Sequence, residues 1–322
     1  MQSKHPEKAL PYSGLAYMAG VVDLGTQASL PNYNFEVKGK LLDTGDGVDV
    51  NPADYIAYVL RNIGIDTSNI EGLDNYRSYC ANADLLISTP PSAKEQKAQE
   101  IVNDIAEFTN AYVFWSNDRL KIVPLADKPI GSWSPDTEIK YDLTADDFLP
   151  QTDGTLVMYK RKDSSECYNQ ATVEFINRDN GYEKEAVSFD VVADIQANGM
   201  RPAPLKSIHY LYTKKRASYV AEQMAMRQLY LKNQYTFKLD WAFCRLEPGD
   251  LLTITDEASM LDRRVVVVTD VQEAVDGELT ITAVGKPPGL YSPARYNVHD
   301  VERPFVDFNA EPPNVENVTI VQ

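Results

Sequence analysis

Histidine is the side chain that most readily supplies acid–base catalysis and metal binding near neutral pH, and this 322-residue chain has three. His5, His209 and His299 lie far apart, and none has a second His or Cys at the spacing of a zinc site. The sequence also lacks the G-x-S-x-G, Walker A and G-x-G-x-x-G motifs. We therefore expect no catalytic residue, no cofactor and no bound metal.

Carboxylates could support two other kinds of chemistry. Residues 43–49, DTGDGVD, suggest a calcium loop, but their spacing does not match an EF-hand, which also needs a glutamate at its last position. A glycosidase needs two carboxyl groups about 5–10 Å apart in a cleft, and sequence does not show such a pair among clusters such as Asp146-Asp147. We interpret both groups as acidic, solvated loops.

The charge and the cysteine content of the chain limit its possible binding partners and the compartment in which it is made. Lys and Arg number 31 against 47 Asp and Glu, and the net charge of −16 opposes binding to nucleic acid. Cys80, Cys167 and Cys244 form no C-x-x-C motif, which favours synthesis in a reducing compartment. No apolar run approaches the roughly 18 residues of a membrane span, and the first residues do not resemble a signal peptide.

Strands and then helices are predicted for the first part of the chain. Residues 1–50 form a first β segment, after which Asn51-Pro52 is typical of a helix start. Over 51–63 an apolar stripe recurs at helical spacing, and Gly64 marks its end. The stripe consists of Ile56, Val59, Leu60 and Ile63.

Two more helices and a hairpin complete a predicted α+β unit over 51–125. A short helix follows Asp74, and a third begins with the capping box Ser92–Glu95. The hairpin turns at Asn117-Asp118. The inner faces are Tyr76, Tyr79 and Cys80 in the second helix and Ala98, Ile101, Val102, Ile105 and Phe108 in the third.

A second domain is predicted over 126–290, with one long helix at 214–232 followed by four strands. Pro248-Gly249-Asp250 forms a tight turn between the first two of these strands, because Pro presets φ and Gly tolerates a positive φ. The helix carries the basic triplet Lys214, Lys215 and Arg216, which is either a solvated face or an assembly face for an acidic subunit. Residues 291–322 are Pro-rich and are interpreted as a linker or docking tail. The four strands are Tyr235–Phe243, Leu251–Thr255, Arg263–Gln272 and Glu278–Val284.

Six phrases of the sequence occur in an order typical of one protein family. Together they resemble the putative phage tail protein family of long-tailed phages and gene transfer agents, which includes baseplate-hub and tail-tip proteins. The resemblance covers most of residues 9–285. The phrases are Leu10–Tyr17, Leu30–Val37, Val50–Ile56, Tyr79-Cys80, Arg119–Pro124 and Leu246–Leu252.

This resemblance implies small β-barrel domains related to the tail-tube fold, an inserted α+β unit and a ring of three copies. The predicted fold class is therefore α+β, mostly antiparallel, with the long helix in the second barrel. The family's known residues are architectural, so the resemblance implies no catalytic residue. Related proteins are usually longer, which leaves open that this chain is a fragment and that its first barrel is incomplete.

The expected function is structural: a component of a phage or prophage tail tip or baseplate hub that joins the tail tube to the distal host-contacting parts. Its expected partners are other tail proteins (distal tail, tape-measure or fibre proteins), and it would be a homotrimer in the virion tail. Two alternatives stay open. One is a tail-associated cell-wall hydrolase, and the other is a receptor- or carbohydrate-binding module, which the 19 tyrosines support mildly because aromatic rings stack on sugars.

Overall fold

The computed structural model describes Leu42 and residues 44–89 and 96–290, which form five α-helices and thirteen strands. The predicted first β segment, apart from Leu42 and residues 44–50, lies outside these residues, as do the capping box Ser92–Glu95 and the tail 291–322. The helices are α1 Pro52–Asn62, α2 Leu73–Asn82, α3 Ala98–Thr109, α4 Val192–Asn198 and α5 Lys214–Tyr230. The strands are β1 Ile70–Glu71, β2 Ala111–Ser116, β3 Arg119–Pro124, β4 Ile139–Leu143, β5 Phe148–Leu149, β6 Val157–Arg161, β7 Gln170–Asn177, β8 Glu183–Asp190, β9 Lys206–Ser207, β10 Asn233–Leu239, β11 Leu251–Asp256, β12 Leu261–Glu273 and β13 Leu279–Gly285.

Helix α1 confirms the predicted start at Asn51. The Asn51 side chain accepts a hydrogen bond from the backbone N–H of Ala53 at 3.0 Å, and Pro52 takes the first helical position, where a missing N–H costs nothing. Ile56 and Leu60 are buried as predicted. Ile63 is 58% exposed, because it is the C-cap of the helix and not part of the buried stripe.

A three-stranded sheet in the order β1-β3-β2 carries α2 on β3 and α3 on β2. The hairpin of β2 and β3 turns at Asn117 and Asp118, whose φ angles of 50° and 59° are those of a type I′ turn. This turn matches the right-handed twist of the two strands, so the predicted hairpin is confirmed. The predicted inner face of α2 is also buried, with Tyr76, Tyr79 and Cys80 among its buried residues.

The long helix α5 does not pack where the sequence places it. Its buried side, which includes Ala217, Ala221 and Ala225, lies on β7 and β8 of a second three-stranded sheet, ordered β8-β7-β9. Because alanine side chains are small, α5 can lie close to these strands. The same hydrophobic core contains α1, α2 and α3, so it takes residues from both sides of residue 125. The predicted helix of the second barrel therefore belongs to the first core.

A curled half-barrel sheet of seven strands contains the second core. Its strand order is β4-β11-β12-β13-β10, and both β5 and β6 pair with β10 at the far side. The four strands predicted after the long helix appear here as β10, β11, β12 and β13, with ends shifted by a few residues. Among the described residues, β4 pairs with β11 and β6 pairs with β10, and the sheet does not close into a barrel.

Candidate functional site

The turn predicted at Pro248-Gly249-Asp250 lies between the two cores. Gly249 has φ +99°, and its N–H donates to the carbonyl of Val268 at 2.8 Å. The Asp250 carboxylate accepts from the N–H of Glu247 at 2.9 Å, which closes the turn. A Cβ atom on Gly249 would lie 2.9 Å from Cγ1 of Val123 on β3, closer than carbon atoms normally approach. The turn therefore presses directly on the β2–β3 hairpin.

Charged groups complete this contact between the turn and the hairpin. The Glu247 carboxylate accepts hydrogen bonds from Ser116 Oγ at 2.5 Å and from Lys121 Nζ at 2.8 Å. Burial alone would lower the pKa of Lys121, but its bonds to Glu247 raise it above the ordinary value. Burial raises the pKa of Asp250. Sequence reasoning placed Glu247 in the turn but missed its contacts with Ser116 and Lys121, because a local pattern does not indicate partners more than a hundred residues away.

A second charged cluster centres on Asp49, which is buried before α1. Its carboxylate accepts hydrogen bonds from the guanidinium groups of Arg178 and Arg216 and from Ser88 Oγ at 2.5 Å. Arg216 also donates to the side chain of Asp84 at 3.0 Å. This buried-ion cluster ties together four chain segments: the loop before α1, the end of α2, the turn after β7 and the first turn of α5.

The ionisation of the buried-ion cluster is fixed by these contacts. Burial would raise the pKa of Asp49, but hydrogen bonds from Arg178, Ser88 and Arg216 hold it below its ordinary value. The pKa of Asp84 is lowered in the same way by Lys215 and Arg216, against burial. Carboxylates saturated by guanidinium groups are poor proton acceptors and poor metal ligands, so the cluster is suited to holding elements in place.

The three residues of the basic triplet on α5 do not share one environment. Lys214 and Lys215 are exposed, and Lys215 Nζ lies 2.7 Å from the carboxylate of Asp84. Arg216 is buried in the buried-ion cluster, pointing into its own chain. Of the three residues proposed as an assembly face, Lys214 and Lys215 are thus the two with solvent-exposed side chains.

Residues that could do chemistry are not brought together among the parts of the chain that the structure describes. His209 Nε2 lies 2.9 Å from Glu174 Oε1, as a pair, while His5 and His299 lie outside the described residues. Cys80 and Cys167 are buried, and burial raises the pKa of the Cys80 thiol. No group of three or more His, Cys, Asp or Glu residues suited to a metal occurs within the described ranges.

Two surface cavities lie near the helices and the turn. One, of about 600 Å³, lies against α1 and α2 and is lined by Asp54, Arg61 and Arg77, with Arg77 and Asp54 paired at 2.9 Å. The other, of about 240 Å³, lies beside the turn and is lined by both lysines and carboxylates, including Lys121 and Glu247. Neither is lined by His209 or Glu174. None of the described helices has the length and apolar character needed to cross a bilayer.

The chain is similar to phage tail proteins in sequence and to a gene transfer agent protein in structure. A family described as "Putative phage tail protein" matches residues 97–270, while no curated protein sequence matches the chain. A chain of the virion of a native gene transfer agent particle is similar in structure, with a TM-score of 0.61 and 16% identity. The match covers 79% of this chain and 51% of that one, so this chain spans about half of its length.

Two crystal structures of tail proteins are also similar at lower TM-scores. A tail protein from Neisseria meningitidis MC58 has a TM-score of 0.45 and 10% identity, over 76% of this chain and 68% of that one. The 43 kDa tail protein of prophage MuSo2 from Shewanella oneidensis has a TM-score of 0.38 and 16% identity, over 62% of this chain and 55% of that one.

Proposed function

Because the chain belongs to the phage tail protein family that matches residues 97–270, we propose that it is a structural component of a tail tip or baseplate hub. In this role it joins the tail tube to the distal, host-contacting parts of a phage or prophage tail. The observation that carries the proposal is the fold shared over 79% of the chain with a protein of an assembled gene transfer agent virion. Its location is then the virion tail, after synthesis in the bacterial cytoplasm.

The contacts between the elements of the chain support a structural role. Two hydrophobic cores are joined by the charged contact of Glu247 with Lys121, and α5 is fixed to the loop before α1 through Arg216 and Asp49. Buried, hydrogen-bonded ion pairs favour one arrangement of the elements, since breaking one leaves a charge uncompensated. Such a body transmits force between neighbours without bond chemistry.

The proposed partners are other tail proteins, such as distal tail, tape-measure or fibre proteins, and the proposed state in the virion is a homotrimer. A closed ring requires head-to-tail contacts between copies. The exposed pair Lys214 and Lys215 is retained as a proposed contact with an acidic neighbour.

Immunogold electron microscopy tests the proposal directly. Antibodies raised against the purified chain should label the tail end that lies away from the head in intact particles. Particles from a strain that lacks the gene provide the control. Labelling along the whole tube or on the head would contradict the tail-tip assignment, and so would absence of the chain from purified particles.

The proposed role is not enzymatic, which distinguishes it from the cell-wall hydrolase hypothesis. We expect purified chain to release no soluble fragments from peptidoglycan and to contain no stoichiometric zinc by elemental analysis. A lysozyme-treated sample serves as the positive control. Peptidoglycan turnover that is lost on mutation of a described carboxylate would favour the hydrolase.

A further inference from the structure

A shallow notch lies on the inner face of the seven-stranded sheet, at the end where β6 and β13 finish. Its floor is Gly285, and a Cβ atom on this glycine would lie 3.8 Å from Arg264 Nη2 and 3.9 Å from Asn233 Cβ. Arg264 on β12 and Asn233 on β10 therefore face each other across Gly285. The ring of Tyr235, which is buried in the second core, lies 3.7 Å from the same Cβ position, so the notch opens on the face that carries this core.

Three side chains offer hydrogen-bond donors at this notch. Tyr159 Oη donates to Asn233 Oδ1 at 2.9 Å, which leaves Asn233 Nδ2 with no acceptor among the described residues. Arg161 is the cross-strand neighbour of Asn233 in the β6–β10 ladder, so the two side chains lie on the same face of the sheet. The guanidinium groups of Arg161 and Arg264 and the amide group of Asn233 are donors that suit a carboxylate.

Five cations lie at this end of the sheet. Arg161 stands between two exposed lysines, and the N–H of Lys162 donates to the carbonyl of Lys232 at 2.8 Å, which places these two residues side by side. None of the five cations forms an ion pair with another described residue. Together with Gly285 and Asn233 they are called the basic notch. The cations are Lys160, Arg161, Lys162, Lys232 and Arg264.

The nearest carboxylates along the chain do not cancel the charge of the basic notch. Asp163 follows Lys162, and its carboxylate accepts hydrogen bonds from the N–H of Ser165 at 2.8 Å and from Ser165 Oγ at 2.7 Å. Asp262 lies two positions before Arg264 in β12. Five cations and these two carboxylates leave this end of the sheet positively charged, in a chain whose net charge is −16.

A segment of opposite charge follows the described residues in the same chain. Residues 300–316, called the acidic segment, contain five carboxylates and a single cation, Arg303, together with the aromatic residues Phe305 and Phe308. Most of the protein is negatively charged and repels such a segment, whereas the basic notch attracts it. The carboxylates are Asp300, Glu302, Asp307, Glu311 and Glu316.

The acidic segment is close enough along the chain to reach the basic notch. Leu290 is buried in the first core, and the five residues from Gly285 to Leu290 span at most about 17 Å. The next ten residues, up to Asp300, span about 34 Å when extended, which is more than the distance back to Gly285. Because the two groups belong to one chain, their effective concentration is on the order of millimolar, so weak ionic contacts suffice.

We propose that the acidic segment docks on the basic notch of its own chain, with one carboxylate held between Arg161 and Arg264. Asn233 Nδ2 is placed to donate to the same carboxylate. The ring of Tyr159, which is 46% exposed, offers an apolar surface to the aromatic residues of the segment. The docked segment covers the open end of the half-barrel sheet. This contact within one chain does not depend on the proposed function.

Carbodiimide cross-linking of the full chain tests this contact directly, because the reagent joins a lysine amine to a carboxylate without a spacer. Proteolysis and mass spectrometry of the monomer should identify links from Lys160, Lys162 or Lys232 to the acidic segment. Lys97 and Lys128, which are exposed elsewhere, are internal controls and should not form such links. The yield of the notch links should fall in about 1 M sodium chloride, where the Debye length is about 3 Å.

Hydrogen exchange of the full chain provides a second measurement. The notch variant carries Lys160→Gln, Arg161→Gln, Lys162→Gln and Arg264→Gln, and amides of its acidic segment should exchange about fivefold faster or more than in the unmodified chain. The matched control replaces two other exposed lysines and two other exposed arginines with Gln, and exchange in its acidic segment should be unchanged. Circular dichroism establishes that both variants are folded. The control residues are Lys97, Arg119, Lys128 and Arg245.

Either measurement can overturn the proposal. No link from the three notch lysines to the acidic segment, equal linking to Lys97 and Lys128, or links found only in cross-linked dimers would show that the segment does not dock on its own chain. Equal exchange of the acidic segment in the unmodified chain and the notch variant would show the same. Both measurements use purified chain, so they can fail while tail labelling succeeds, and the reverse.

Discussion

At the scale of single residues, Gly249 shows why its turn tolerates little change. We expect Gly249→Ala to cost about 1–3 kcal/mol of unfolding free energy, because φ is +99° and the new Cβ would meet Val123. Gly277→Ala is the matched control, since Gly277 has φ +83° but open space around it. Urea denaturation should give a larger loss for Gly249. Equal losses would mean that the contact with β3 contributes nothing.

Asp49 is the residue on which the buried-ion cluster depends. Replacing it with Asn leaves Arg216 and Arg178 without their shared carboxylate, and we expect a loss of about 3–5 kcal/mol in unfolding free energy. Asp74→Asn is the control, because its side chain is 95% exposed and a surface pair with Arg77 contributes about 1 kcal/mol at most. A loss at Asp49 no larger than at Asp74 would contradict the structural role of the cluster.

The same cluster gives stability a defined dependence on pH. The folded pKa of Asp49 and that of Asp84 lie below the ordinary value of 3.8, so the unfolded chain takes up protons first as pH falls. Their contribution should therefore be complete above about pH 5 and be lost progressively below the unfolded pKa. Chemical denaturation at a series of pH values should show a shallower acid decline in Asp49→Asn. If stability declines with falling pH equally in Asp49→Asn and in the unmodified chain, other groups cause the acid unfolding.

At the scale of elements, α1 has a buried stripe that includes Leu60 and an exposed C-cap residue, Ile63. Leu60→Ala should cost about 2–5 kcal/mol, because Leu60 is buried in the first core. Ile63→Ala, at a position that the periodic pattern places on the same stripe, should cost much less because Ile63 is largely exposed. Thermal or urea unfolding of the two variants measures the difference. A near-neutral Leu60→Ala would mean that the stripe contacts a partner and not the core.

Elements defined by local signals could be predicted from sequence. The Asn51-Pro52 start of α1 and the Asn117-Asp118 turn depend on residues within a few positions, so pattern and capping chemistry suffice. The packing of α5 could not be predicted, since its position depends on contacts between distant segments. Arg216 lies 167 residues from Asp49, and a basic triplet on a helix otherwise predicts a solvated face. The charged contact at Glu247 was missed for the same reason.

At the scale of the whole molecule, the described residues form two hydrophobic cores that are joined by the charged contact of Glu247 with Lys121. Net charge of −16 makes copies repel one another, and screening over a Debye length of about 8 Å reduces this at physiological salt. The proposed ring of copies therefore needs apolar contacts or local pairing of opposite charges.

Cryo-electron microscopy of intact tails tests the central claim most directly. We predict density for this chain at the end of the tail tube away from the head, as a ring of three copies. The fold over residues 44–89 and 96–290 provides the shape to be located. A tail whose tip contains no such density, or particles in which the chain occupies the head, would contradict the proposed structural role.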